Sequence, residues 1–363
     1  MRLAGGAPKA EMPFETVSRI KNRKESFGEK PMRTGKISET VLKRSVLRQL
    51  PEDHADVLCG AAAGTDAALL AANGTAALAA HSVRWNDEKD TLRAVHNVCN
   101  NLSCTGAVPA GVVVTLLLPS DVKEPQIRRI MKSIAKAADS CGLSVLGGHT
   151  EIMPCVSSPV LSLTGIGKAK ESRLLLPGGA RPGDDLLLTK WAGLEGTARI
   201  AHAARQELLA KYPAFLVDAA EGFFDHLSVR PEAEMAVRFG VHAMHDLSGG
   251  GVFAALWELA ESSGIGLRVG LRDIPVRQET VEICDFFDLN LYELSSGGSL
   301  LLAAPDGNGL VGALQAAGIP AAVIGKAQAG RDRILTNGEE IRYLEPPKGD
   351  ERNRFFGEHS ERK

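Results

Sequence analysis

An alternation of strand and helix between residues 111 and 166 most constrains the fold of this chain. The β-branched run at 111–118 predicts a buried strand, and an amphipathic helix with apolar positions between 127 and 138 follows it. Two further strands are predicted at 143–146 and 160–166. This order predicts an α/β or α+β domain that closes near residue 168.

Length and turn-forming residues together predict two domains. A chain of 363 residues exceeds the size at which a single core usually stops growing. The stretch 176–185 is dense in Pro and Gly and is the best domain boundary, because strand–helix alternation restarts after it. We therefore expect a flexible arm at 1–34, an N-terminal domain at 35–170, a C-terminal domain at 180–340 and a charged tail at 345–363.

Charge and composition exclude several functional classes. The net charge is −2 and aromatic residues make up 5%, so no basic surface with stacking rings for nucleic acid is expected. The first residues are too charged for a signal peptide, and the longest apolar run, 107–119, is too short to span a membrane. We expect a cytoplasmic protein that binds neither nucleic acid nor membrane.

A pair of glycines followed by three polar residues comes directly after the strand at 143–146. These residues are His149, Thr150 and Glu151. We expect a corner here, because glycines let backbone and side-chain ligands approach a polyphosphate closely. The alternative is an ordinary surface loop.

A second glycine-rich corner lies at 245–252 and opens a helix. Asp246 and Ser248 precede three consecutive glycines, Gly249, Gly250 and Gly251. Three glycines at a helix start leave N–H groups free for phosphate. Asp246 alone could cap the helix, and the glycines could serve helix packing alone.

Other polar residues lie near strand or helix ends. Asp66 could bind a ligand or cap a turn, and Glu195 could orient a substrate or carry surface charge. Lys36 could reach a phosphate, although an exposed lysine is usually only solvated. His81 and His96 are more often structural histidines than ligands.

These pieces, in this order, resemble the superfamily of aminoimidazole ribonucleotide synthetase, selenophosphate synthetase, thiamine-monophosphate kinase and the hydrogenase maturation protein HypE. The most similar branch is the HypE-like one. The resemblance covers roughly residues 33–330. It is carried by Gly35-Lys36-Ile37-Ser38, by Gly-Gly-His-Thr-Glu at 147–151, by Lys190-Trp191-Ala192-Gly193-Leu194-Glu195-Gly196-Thr197 and by Met244-His245-Asp246 before the glycines.

The resemblance implies a two-domain PurM-like α/β fold, in which two N-terminal domains form a mixed β-barrel in a homodimer. It also implies that ATP and Mg²⁺ or Mn²⁺ lie in a cleft, with Asp66, Asn101 and His149 at the metal. His149 and Glu151 would be catalytic, whereas Lys36, Thr150, Asp246, Ser248 and Gly249–Gly251 would bind the nucleotide. His81, Asn101 and His149 stand where the family has acids, and Mg²⁺ prefers carboxylates.

Two functions follow from the resemblance. The first is ATP-dependent phosphorylation of an amide or related oxygen on a small or carrier-bound substrate. The second is a catalytically diminished homodimer that binds nucleotide or a maturation partner protein. HypE proteins act on their own C-terminal cysteine, but the last cysteine here is Cys284, which favours the second function.

Overall fold

Two β-sheets form the framework of the protein. The computed structural model describes residues 39–41, 43, 57–59, 62–64, 68–71, 74–169 and 174–361, all of which belong to one compact unit. The predicted arm at 1–34 and the predicted site residues Lys36 and Asp66 lie outside the described residues.

Within its described residues, the first sheet region contains six strands and three helices. In chain order these are α1 (Glu39–Val41), β1 (Val57–Cys59), β2 (Ala68–Ala71), β3 (Thr75–Arg84), α2 (Glu88–Cys104), β4 (Val108–Leu118), α3 (Glu124–Ser140), β5 (Ser144–Ile152) and β6 (Val160–Ala169). The strand order is β1-β2-β3-β6-β4-β5, and β4 and β5 pair in parallel across the α3 connection. The predicted strand–helix–strand unit is confirmed.

The second sheet region has seven strands in the order β13-β12-β9-β11-β7-β10-β8. Its strands are β7 (Asp185–Thr189), β8 (Ala243–Asp246), β9 (Gly266–Gly270), β10 (Leu300–Ala304), β11 (Ala321–Gln328), β12 (Arg333–Asn337) and β13 (Glu340–Tyr343). Its helices are α4 (Leu194–Ala203), α5 (Arg205–Leu209), α6 (Ala214–Glu221), α7 (Arg230–Phe239), α8 (Gly251–Ser263), α9 (Gln278–Phe286), α10 (Gly307–Ala316) and α11 (Glu351–Glu361). Parallel pairing of β12 with β9 makes this sheet mixed as well.

The two sheets differ in how their faces are covered. In β7, Leu186 and Leu188 pack into one apolar cluster and Leu187 into another, so both faces of the second sheet are buried. The first sheet packs one face on α2 and α3. Along β6, buried residues alternate with four half-buried ones and the exposed Lys168, so its other face is only partly covered by the described residues.

The structure differs from the sequence predictions at two places. The expected corner at 146–151 is wrong, because these residues lie inside β5, an exposed edge strand. The last residues, expected as a charged tail, include helix α11, whose Phe355 is only 2% exposed. Among the described residues, no helix combines the length and the apolar content that a membrane crossing requires.

Candidate functional site

Two predicted site residues meet where α2 of the first region touches β8 of the second. Asn101 and Asp246 are both buried. With its amide nitrogen facing Asp246, Asn101 donates to both oxygens of that carboxylate, at 2.7 and 3.2 Å, and to the Asn97 carbonyl oxygen at 3.3 Å. The pair therefore links the two sheet regions.

A small cavity of about 30 Å³ adjoins this pair. It is lined by Gly64, Asn101, Cys104, Thr105, Leu175, Pro177, Met244, His245 and Asp246. The volume suits a water or an ion and is far too small for a nucleotide. Any nucleotide would lie outside this cavity.

The described residues do not by themselves form a metal centre. Within them, no group of three or more histidine, cysteine or acidic side chains is arranged to hold a metal ion. Asp246 supplies one carboxylate at the cavity and Asn101 one amide, whereas Mg²⁺ demands six oxygen ligands. Waters or phosphate oxygens would have to complete the coordination.

The second glycine corner connects β8 to α8 and is held by backbone hydrogen bonds. Leu247 donates its N–H to Ser299 and accepts one from Ser296. Gly250, the N-cap of α8, has a φ of 74°, and Gly251 has a φ of 66°. A side chain on Gly251 would lie 2.5 Å from the Tyr292 carbonyl oxygen, so this position requires glycine.

The first glycine pair has a role in sheet pairing. A Cβ on Gly148 would lie 1.8 Å from the carbonyl oxygen of Val114 on β4, so only glycine permits this approach of the two strands. His149 and Glu151 side chains are 64% and 52% exposed, and His149 Nε2 is 3.0 Å from Glu151 Oε2. His149, Thr150 and Glu151 are not among the described residues that line the small cavity beside Asn101 and Asp246.

A buried cluster of charges lies between α2, α4 and α11; of its members only Glu195 stood out in the sequence, and its burial rules out the surface charge considered there. Glu195 is fully buried, with Arg93 Nε at 3.4 Å and Arg352 Nη1 at 3.6 Å from its Oε1. Asp90 lies 3.7 Å from Arg93 and 3.6 Å from Arg199. Burial, together with the other two arginines, lowers the pKa of Arg199 to about 10. We call Asp90, Arg93, Glu195, Arg199 and Arg352 the buried charge cluster.

A sequence signal for this cluster exists on α2. Polar residues recur there at helical spacing beside the apolar face, at positions 90, 93, 97, 100 and 101. All five are buried. Asn100 donates to the Leu227 carbonyl oxygen at 2.8 Å and accepts from the Val229 N–H at 3.0 Å. A helix with a polar stripe beside its apolar face is typical of an interface between two packed regions.

His81 borders the buried charge cluster as a neutral acceptor. Its Nε2 lies 3.3 Å from Arg93 Nη1 and 3.2 Å from Asn97 Nδ2. Both neighbours donate, so Nε2 accepts and the ring stays unprotonated. Burial, reinforced by the charges of the nearby arginines, lowers the pKa of His81 to about 3.

We expect His81 to make the protein less stable in mild acid. At pH values between the unfolded pKa of 6.5 and the folded pKa of about 3, His81 is protonated in the unfolded chain and neutral in the folded chain. Stability therefore falls as pH drops, by about 2 kcal/mol from pH 7 to pH 5. Urea unfolding at both pH values checks this. The His81→Gln variant should lose about 2 kcal/mol less than the parent over this interval, and an equal loss in both proteins contradicts the assignment.

Comparisons with known proteins place these features in a family. The sequence model described as AIR synthase related protein, N-terminal domain matches residues 64–169, and the C-terminal domain model matches residues 181–336. Carbamoyl dehydratase HypE of Rhodobacter capsulatus is 25% identical over 252 residues, which cover 67% of this chain and 72% of that protein. Selenide, water dikinase of Myxococcus xanthus is 25% identical over 272 residues, which cover 66% and 74%.

Solved structures show the same fold. Hydrogenase maturation protein HypE in complex with ATP matches with a TM-score of 0.65 at 23% identity, covering 89% of this chain and 98% of that one. AaThiL complexed with AMPPCP and TMP matches with a TM-score of 0.62 at 17% identity, covering 77% and 90%. The two family models together cover more than half of the chain, so this protein belongs to the AIR synthase related family, with its two-domain PurM-like α/β fold.

Proposed function

We propose that this protein binds ATP and transfers a phosphoryl group to an amide or related oxygen of a small or carrier-bound substrate. The observation that carries the proposal is the juxtaposition of Asp246, Asn101 and the glycine corner at the C-terminal end of β8. Relatives with this fold were solved with ATP or with AMPPCP. Mg²⁺ or Mn²⁺ is the proposed companion ion.

The chemistry asks mainly for positioning and for neutralisation of phosphate charge. Backbone N–H groups at Ser248 and Gly249–Gly251 are proposed to hold phosphate oxygens. Asp246 and Asn101 are proposed to orient hydrated metal at the polyphosphate. A bound divalent ion would supply further neutralisation of phosphate charge. Lys36 and Asp66, outside the described residues, remain proposed contributors.

We further propose that two copies pair through the partly covered face of the first sheet and its exposed edge strand β5. Val145, Leu146 and Ile152 on β5 are 40%, 56% and 54% exposed, which makes this edge an apolar surface in the single chain. Pairing would cover this strand and enclose His149, Thr150 and Glu151, whose proposed catalytic and nucleotide contacts need a completed site. Sedimentation velocity checks the pairing, and a monomer at every protein concentration contradicts it.

We expect Asp246→Asn to weaken binding of Mg·ATP by about 10-fold, equal to about 1.4 kcal/mol. The substitution keeps the shape and one of the two hydrogen bonds from Asn101, but it removes the only carboxylate at the cavity among its described lining residues. Isothermal titration calorimetry measures the affinity. Asp218→Asn is the control, because Asp218 is 58% exposed and paired with Arg205. If the Asp246→Asn variant binds Mg·ATP as tightly as the parent does, the assignment of Asp246 to the site is contradicted.

The second candidate is a homodimer that binds nucleotide or a partner protein without turnover. Asn101 supplies an amide where the family resemblance leads one to expect an acid, which favours this candidate. A HypE protein was also solved as a HypE–HypF complex, so a maturation partner is the proposed alternative. Phosphate release with carboxamide and thiocarboxamide substrates separates the candidates. Binding without turnover supports the second, and no nucleotide binding defeats both.

A further inference from the structure

The glycine corner is already in contact with a carboxylate of this chain. Asp350 Oδ2 accepts from the Gly250 N–H at 3.2 Å, while its Oδ1 accepts from the Ser295 N–H at 3.2 Å and the Arg352 N–H at 2.9 Å. Gly250 follows β8, and Ser295 lies in the loop before β10. Two separate loops thus direct backbone donors at one carboxylate, which is an arrangement suited to an anion.

The carboxylate belongs to residues 345–361, which we call the C-terminal segment. This segment carries Arg352 to Glu195 in the buried charge cluster and buries Phe355 against an apolar cluster that includes Ile200 and Leu208. The Asp350 side chain is itself only 6% exposed. The segment therefore closes this side of the glycine corner.

The C-terminal segment lies beyond the residues that the family model matches. The C-terminal domain model of the family ends its match at residue 336. Residues 345–349 also form one wall of an open cleft of about 490 Å³, whose other lining residues include Gly250 and Phe253. An entering ligand would thus meet the segment directly beside the corner.

Several buried polar atoms near the segment have no hydrogen-bond partner among the described residues. Ser295 Oγ is buried, and among the described residues it has no hydrogen-bond partner. Within the part of the chain that the structure describes, both oxygens of Glu195 also lack hydrogen bonds, although its ion pairs lie at 3.4 and 3.6 Å. Burial, reinforced by the neighbouring carboxylate of Glu351, raises the pKa of Glu293, which lies beside the segment. With the segment docked, these polar atoms of its binding site therefore have no hydrogen-bond partner among the described residues.

We propose that the N–H groups of Gly250 and Ser295 form an anion site in which Asp350 stands where a phosphate group of the ligand binds. The C-terminal segment is then a displaceable occupant that competes with polyphosphate. This inference rests on the proposed nucleotide function and adds a regulatory step to it. Ligand affinity falls in proportion to the fraction of molecules whose site is open.

Titration with two probes tests the competition. We expect Asp350→Asn to bind Mg·ATP and inorganic tripolyphosphate about 10-fold more tightly than the parent, because the competing charge is gone. The matched control is Glu358→Gln, which removes a 51% exposed carboxylate of the same segment, paired with Arg354 and outside the lining of the cleft. This control should bind both probes as the parent does.

Each outcome decides one of the two proposals. If Asp350→Asn binds tripolyphosphate no more tightly than the parent, the competition is overturned even where ATP binds. If tripolyphosphate binds more tightly but no variant binds ATP, the competition stands and the nucleotide function fails. Should Asp350→Asn not fold, Phe355→Ala offers a second route, since loss of apolar burial should release α11. Faster hydrogen exchange in residues 351–358 must then accompany tighter tripolyphosphate binding, and unchanged binding with a released helix overturns the inference.

Discussion

Replacing Glu195 with alanine is expected to lower the free energy of unfolding by about 3–5 kcal/mol, the cost typical of removing one member of a buried ion pair. Glu195 is fully buried and is the carboxylate between Arg93 and Arg352. Without it, two guanidinium groups face each other away from water. Repulsion and incomplete solvation should both destabilise the folded chain.

Urea unfolding of four variants, two of them single members and one the double member of a mutant cycle, checks this expectation. Glu234→Ala is the control, because Glu234 is 47% exposed and paired with Arg230, and such surface pairs contribute about 0–1 kcal/mol. In a double-mutant cycle, Arg352→Ala should recover part of the loss in the Glu195→Ala background, since it removes one unpaired charge. A loss below about 1 kcal/mol for Glu195→Ala would contradict a coupled buried cluster.

Gly251→Ala is expected to destabilise the protein by about 3 kcal/mol and to weaken Mg·ATP binding. A left-handed backbone costs a non-glycine residue about 1–2 kcal/mol, and the steric conflict adds to this. The new Cβ would lie 2.5 and 2.6 Å from the carbonyl oxygens of Tyr292 and Leu294. Those residues directly precede Ser295, so relief of the clash should move one donor of the anion site.

Gly249→Ala is the matched control in the same corner. Apart from its two chain neighbours, no atom of the described residues lies within 4 Å of a Cβ built there, and its φ is not in the left-handed region. Both substitutions restrict the unfolded chain equally, so their difference isolates the folded-state conflict. Unfolding and calorimetric titration should therefore separate the two variants. Equal stability would show that the corner adapts around residue 251.

Regular periodicity made the framework predictable from the sequence. The strand β4, the helix α3 and the parallel partner β5 follow from a β-branched run, a helical apolar pattern and a glycine stop. The corner at Ser248–Gly251 was also located correctly at the start of a helix. These features depend on local patterns, which a single sequence records directly.

Predictions were weakest where tertiary contacts decide the structure. Gly147 and Gly148 suggested a turn, yet Gly148 is required because β4 approaches it closely from elsewhere in the chain. α11 has few apolar residues, so its composition suggested a tail, whereas Phe355 is buried in an apolar cluster and Phe356 packs against it. The partners of Glu195 are separated from it by about a hundred residues or more, a pairing that local spacing does not reveal.

The polar stripe of α2 limits how this chain can exchange parts with its relatives. Asn100 holds two backbone groups of the second region, and Arg93 pairs there with Glu195. A chimera that joins the first half of this protein to the second half of a relative would bury donors and charges without their partners. In a chimera that folds stably, α2 must therefore come from the same parent protein as the loop at 227–229 and the start of α4.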